Sequence, residues 1–228
     1  MATYCLKPIR GRVIRLTKLD ACGAPIHGPK ASVTSDGFVS VEVRMEIEDP
    51  TEYKVKGAND AFIVNDRGRP LLKWASLTLN MQAVDPELYN MATGSPLVMN
   101  DAATPEAVGF RLREQTFGNF ALEIWTDLSG QPCTGGSVNY GYVVFPWVVD
   151  AIVGDYTIQN EAISFPITQA RTHNNSLWGV GPYNVDNKIS APAGPSPLLT
   201  AIQALDHMDM HLTTLAPPAA TCGAVTLP

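Results

Sequence analysis

Four cysteines stand in 228 residues, Cys5, Cys22, Cys133 and Cys222, with no C-x-x-C pair among them. Neither a zinc knuckle nor a dense disulfide framework is indicated. Reduced thiols are the expectation, with a bridge between distant positions the lesser alternative. Signatures of enzymatic chemistry are equally scarce. The sequence has no G-x-S-x-G, no phosphate-cradling G-x-x-x-x-G-K and no H-E-x-x-H. Its four histidines are widely spread, so the chain is read as a non-enzyme with no cofactor. The most apolar run, YVVFPWVV, is eight residues broken by Pro146, far short of the ~20 residues that cross a bilayer as a helix. The start, MATYCLKPIRGRV, lacks the apolar core of a secretory signal. A chain made in a cytoplasm, with no membrane partner, is therefore expected.

Positive charge is short as well, with 16 Lys and Arg against 22 Asp and Glu, a net of -6. The first thirty residues carry six basic groups and one acid, +5, which leaves 10 basic and 21 acidic groups, -11, for the remainder. Phosphate neutralisation supplies most nucleic-acid affinity, so an acidic body argues against sequence-reading contact with DNA or RNA.

What the sequence does have is period-two alternation. Val39, Val41, Val43, Met45 and Ile47 alternate with Ser40, Glu42, Arg44, Glu46 and Glu48. Only a strand places such sets on opposite faces, and at about 3.3 Å per residue this one spans roughly 30 Å. Ala75, Leu77, Leu79 and Met81 alternate with Trp74, Ser76, Thr78 and Asn80, and Val108, Phe110 and Leu112 with Arg111 and Arg113. ALEIW and YVVFPWVV are apolar on both faces, as interior strands are, and Pro146 predicts an edge or a bulge. The best helix signal is DPELYNMATG, with Asp85 as cap, Pro86 in the first turn and Gly94 as terminator. One all-β domain over residues 1–228 is expected, a β-sandwich or half-barrel with one short α-helix and long loops. The polar connection Asp49–Gly68 is long for a compact domain, where such connections usually serve a function. SGQPCTGGS and the Pro-rich SAPAGPSP are further loops.

His207, Asp209 and His211 in HMDMH share one face if the segment is a strand, with the histidines about 13 Å apart. Helical geometry would instead let the two histidines chelate zinc, but no further ligand set is evident, so no metal is expected. Glu42 and Glu46 on one strand face are read as a solvated surface rather than an acid/base pair. Trp125, Trp147 and Trp178 are read as core or interface anchors, although a carbohydrate-binding sandwich also displays tryptophans. TQARTHNNSLWGVGPYNV, residues 168–185, has no hydrophobic periodicity and is rich in turn formers. It is read as an assembly loop, with His173, Asn174, Trp178 and Tyr183 as contact residues and Trp178 as the anchor.

The run MATGSPLVMNDAATPEAVGFRLRE, then FGNFALEIWTDLSG, GYVVFPWVVDAIVGDYTIQNEAISFPITQART and WGVGPYNV, resembles the major tail protein of long-tailed actinobacterial phages. VIRLTKLDACGAPIHGPKASVTSDGFVSVEV near the start and LTTLAPPAATCG near the end resemble the same family, so the likeness is collinear over most of the chain. The resemblance implies a virion protein, made in the bacterial host, that forms hexameric rings stacked head-to-tail into a tail tube for double-stranded DNA. Its partners would be further copies of itself, the tail terminator, tape measure and distal tail proteins, and passing DNA bound without sequence specificity. It also implies an inter-ring role for the Asp49–Gly68 loop, with Glu52, Tyr53, Lys54, Asn59, Asp60 and Asp66 as contacts, and a C-terminal extension over 186–228 with a final strand. Ser40, Glu42, Arg44, Glu46 and Glu48 are the expected lumen-facing residues, Arg44 paired with a neighbouring acid. Such a wall would repel phosphates. A secreted carbohydrate-binding sandwich and another phage part, such as a terminator or decoration protein, are the alternatives.

Overall fold

The computed structural model describes residues 7–113, 117–129 and 138–227. Most of SGQPCTGGS, together with Cys5 and Cys133, lies outside the described residues. The strands in chain order are β1 (Pro8–Lys18), β2 (Gly28–Ser35), β3 (Phe38–Glu48), β4 (Glu52–Lys56), β5 (Phe62–Arg67) and β6 (Leu71–Met81). Helix α1 (Pro86–Thr93) follows, then β7 (Leu97–Met99), β8 (Ala107–Phe110), β9 (Phe120–Leu128), β10 (Tyr140–Val149), β11 (Ile152–Val153) and β12 (Phe165–Thr172). Four short strands finish the chain: β13 (Asp186–Lys188), β14 (Gly194–Ser196), β15 (Asp209–Thr213) and β16 (Val225–Leu227). The protein is all-β with long loops and, among the described residues, one helix.

Ten strands form one antiparallel sheet whose main path runs β16-β2-β1-β9-β10-β12-β6-β3. The sheet turns on itself at β10. Proline has no N–H to give to a ladder, and around Pro146 the pairing of β10 with β9 slips between Phe145 and Val148. Beyond that bulge Val148 and Val149 pair with β12, while residues 140–144 pair with β15. Two arms of the sheet therefore face each other, and the Phe38 ring of β3 lies over Gly11 of β1. A Cβ at Gly11 would sit 2.6 Å from Phe38 Cζ, so only glycine permits that approach.

Between the arms lies the main core, built from the alternating apolar rows of β1, β6, β9, β10 and β12 and closed at one end by Leu88, Tyr89, Met91 and Ala92 of α1. The helix begins where its caps allow. Asp85 Oδ1 accepts from the N–H groups of Glu87 and Leu88, and Gly94, at φ 70°, ends it in the left-handed conformation. A second core covers the opposite faces of β1, β9 and β10, where Trp125, Tyr142 and Val144 meet Trp178, Val185, Leu198 and Ile202. Burial on both sides is why ALEIW and YVVFPWVV carry apolar residues at odd and even positions alike. Within 186–227, β13 and β14 pair with each other, while β15 joins the large sheet beside β10 and the final strand, β16, joins it beside β2.

Candidate assembly surfaces

β3 ends the sheet path, pairing among the described residues with β6 alone. Its register sets Ser40, Glu42, Arg44 and Glu46 opposite Asn80, Thr78, Ser76 and Trp74, which gathers a continuous polar face across the two strands. Glu48 falls opposite Leu71, beyond a register shift between Glu46 and Ile47. Asn80 Nδ2 donates to Ser40 Oγ at 2.8 Å and Glu42 Oε1 at 3.3 Å, and Ser76 Oγ donates to Glu46 Oε1 at 3.4 Å. The expected partner for Arg44 does not materialise: it forms no ion pair among the described residues. Same-face neighbours along a strand stand about 6.7 Å apart, and both neighbouring carboxylates turn toward β6 instead. Across Ser76 lies Arg171 of β12, itself bonded to Asp150.

The other face of β3 departs from the usual half-buried strand. Val39, Val43, Met45 and Ile47 are 42–59% exposed. Val39, Val43 and Met45 border an apolar groove of about 530 Å³ whose far wall is Ile124, Val143, Phe145, Met208 and Met210. The Met208 and Met210 side of HMDMH thus joins this groove, and the alternate residues serve the opposite side. His211 Nδ1 lies 2.9 Å from Asp209 Oδ2 and Nε2 lies 3.1 Å from Asp186 Oδ1. Both ring nitrogens face carboxylate oxygens, a geometry satisfied only when both carry protons. Burial works against the charge, but the two aspartates outweigh it and raise the His211 pKa. His207 precedes the strand and meets Thr172 Oγ1 at 3.0 Å; burial lowers its pKa.

The Asp49–Gly68 connection is not an irregular loop but a β-hairpin, and all residues of β4 and β5 are exposed. Glu52, Tyr53 and Lys54 lie on β4, Asp66 on β5, and Asn59 and Asp60 in the turn. The hairpin has two unlike faces. On one, Glu52 pairs with Lys54 and Arg67. Lys56 pairs with Asp60 at the tip. On the other, Tyr53 is followed by the cross-strand pair Val55 and Val64.

The segment 168–185 turns out to serve the chain's own interior. Trp178 is 3% exposed within the second core, so its role as an outward anchor is corrected: the bends at Gly179 and Gly181 fold the indole inward, where its Nε1 has no hydrogen-bond partner. Tyr183 lies over the Arg15 guanidinium, 3.3 Å from Cζ to ring centroid. His173 and Asn174 are exposed, the imidazole resting against Trp147 at 4.9 Å. Asn175 is the residue of this stretch that closes the fold, donating to the carbonyls of Gly23 and Pro146.

A buried polar cluster outside the expected site residues lies among these elements. Arg15 and Glu123, cross-strand neighbours on β1 and β9, form a bidentate ion pair at 2.6 and 2.6 Å, and Tyr142 Oη donates to Glu123 at 2.7 Å. Burial opposes the guanidinium's charge, yet Glu123 overcomes it and the Arg15 pKa is raised. Burial, reinforced by Glu123, drives the Tyr142 phenol well upward. Each charge interrupts an apolar run, RVIRL and ALEIW, and that opposite-signed coincidence is the signal that would have paired them.

Searches among protein-family models and curated proteins find no match to this chain. Among the described residues no helix is long and apolar enough to cross a membrane.

Proposed function

We propose that this chain is a structural subunit that self-assembles into the stacked rings of a phage tail tube and forms a conduit for double-stranded DNA. The observation that carries this reading is β3: an eleven-residue edge strand, unpaired on one side, with an uninterrupted polar face and an exposed apolar row. A bare edge of that length is a template for another chain, and soluble monomers usually blunt it. Pairing edge to edge around a ring would satisfy those backbone groups and continue the Ser40, Glu42 and Glu46 face from copy to copy. Facing a channel, its carboxylates would deny DNA the cationic contacts on which counterion release depends. Arg44 and Arg171 dilute that repulsion without creating a basic patch, because Glu42, Glu46 and Asp150 stand among them.

The projecting hairpin supports the inter-ring half of the reading. Two strands alone are marginal in water, and a contact that joins different surfaces of successive copies builds an open filament. The tryptophans favour this over glycan binding: Trp125 and Trp178 are buried and Trp74 and Trp147 are partly covered, so none offers an open stacking platform. Electron microscopy of purified protein is the test. Rods with a central channel are expected; monodisperse monomers under all assembly conditions would refute the proposal. In the virion, Glu42→Lys with Glu46→Lys should slow genome delivery while tubes still form.

A further inference from the structure

We infer that the apolar groove between β3 and β15 is the seat of the β4–β5 hairpin of a second copy of this chain. The inference rests on the head-to-tail reading and gives its contact a specific receptor. The groove walls are Val43 and Met45 on one side and Val143, Phe145, Met208 and Met210 on the other. Exposed apolar surface gathered in one open groove marks an interaction site, and methionines let such a wall adapt to what it receives.

The hairpin has the complementary character. Its Tyr53, Val55 and Val64 are all exposed, and no strand among the described residues of its own copy covers them. Its charged face is already neutralised within itself through Glu52, Lys54, Arg67, Lys56 and Asp60. Seating Val55 and Val64 therefore leaves those ion pairs in water, and Asp66, across from Tyr53 on the same face at the base of the hairpin, stays at the rim of the groove. The dimensions agree: β5 has six residues, roughly 20 Å, and Val39 to Met45, bordering the groove, cover a similar length. Each chain carries one such hairpin and one such groove on different surfaces. Successive copies could be joined without limit by repeating a single contact.

The test places cysteines at Val55 and Met210 of the full chain, oxidises the assembled protein and maps disulfides by peptide mass spectrometry, which separates them from bridges of the native thiols. A bridge forms only if the two Cα atoms approach within about 7 Å. A control pairs Val55→Cys with Glu42→Cys on the opposite face of β3. Alongside, Met210→Glu places a charge in the groove at a partly exposed position. Expected are a 55–210 bridge between chains, none from 55 to 42, and a Met210→Glu chain that keeps its urea midpoint but loses rods roughly tenfold or more. Rods that form without the bridge and tolerate Met210→Glu would overturn the groove and leave the tube reading intact. Bridged chains that never make hollow rods would uphold the groove and overturn the tube. Unbridged monomers would overturn both, and a 55–210 bridge within one chain would overturn the groove.

Discussion

β3 and β6 are adjacent strands of eleven residues with the same alternating pattern, and they meet opposite fates. Ala75, Leu77, Leu79 and Met81 of β6 are at most 1% exposed, while across the ladder on β3 Phe38 and Val41 are only partly buried against the core and Val43 and Met45 stand exposed. β6 has a neighbour on each side and the main core against its apolar face. β3 has one neighbour and an open groove. Alternation is thus a statement about pleat and pairing; burial follows from what the fold places opposite. Where the pattern is present and the covering is not, the chain leaves an open apolar face, which is the face the proposed assembly would cover.

The comparison extends to charges, and there the largest effect is expected. Glu123 and Glu46 are both strand carboxylates, one sealed against Arg15 and the other at the edge. Glu123→Ala strands a buried guanidinium and should cost about 3–5 kcal/mol, whereas Glu46→Ala should leave the urea unfolding midpoint nearly unchanged. Equal losses would break the distinction between the two faces. Next comes the apolar pair. Leu79→Ala should destabilise the isolated chain by about 2–5 kcal/mol through transfer and cavity terms, and Val43→Ala by no more than ~0.5 kcal/mol. If Val43→Ala proved as costly in dilute monomer, the β3 row would be covered in solution after all.

A smaller effect sharpens the picture at the closed end of the core. Asp85 caps α1 and also accepts from the Gly223 N–H at 2.7 Å, while Glu87 accepts from Ala224 N–H and pairs with Lys30. Asp85→Ala should cost about 1 kcal/mol, and hydrogen exchange at Gly223 should quicken with it. The smallest expected change is with pH. His211 has a folded pKa above its unfolded value, so its contribution is complete below about 6.5 and is lost as pH rises through the raised folded pKa. His207 has the opposite shift and loses stability as pH falls through its unfolded value. The difference between wild type and His211→Asn isolates the first: it should shrink from pH 5.5 toward higher pH, and a difference that does not change with pH would remove the Asp186–His211–Asp209 clamp from the account.

Several features were legible along the chain because their causes are local. DPELYNMATG contains its own start and stop signals, and the helix occupies the span between them. The pleat of β6 follows from period two alone, and the bulge follows from a proline in a strand. The hairpin at 49–68 is not legible in the sequence because its register slips between Val55 and Lys56, leaving Phe62, Ile63 and Val64 as a run instead of an alternation. The inward direction of Trp178 is hidden for a different reason: glycines and asparagines describe the bends of a loop without saying which way its aromatic ring will fall. The pairing of Arg15 with Glu123 spans more than a hundred residues, and the basic start of the chain masked it as surface charge.

The sequence by itself determined that this is a β protein, where its helix lies, and which side chains share a strand face, because covalent geometry repeats every two residues and caps act within one turn. Tertiary structure alone decided which of those faces is covered. Sheet order left β3 at an edge, turned Trp178 inward, and set β15 across from β3. Burial depends on neighbours distant in the chain, and no local pattern specifies them.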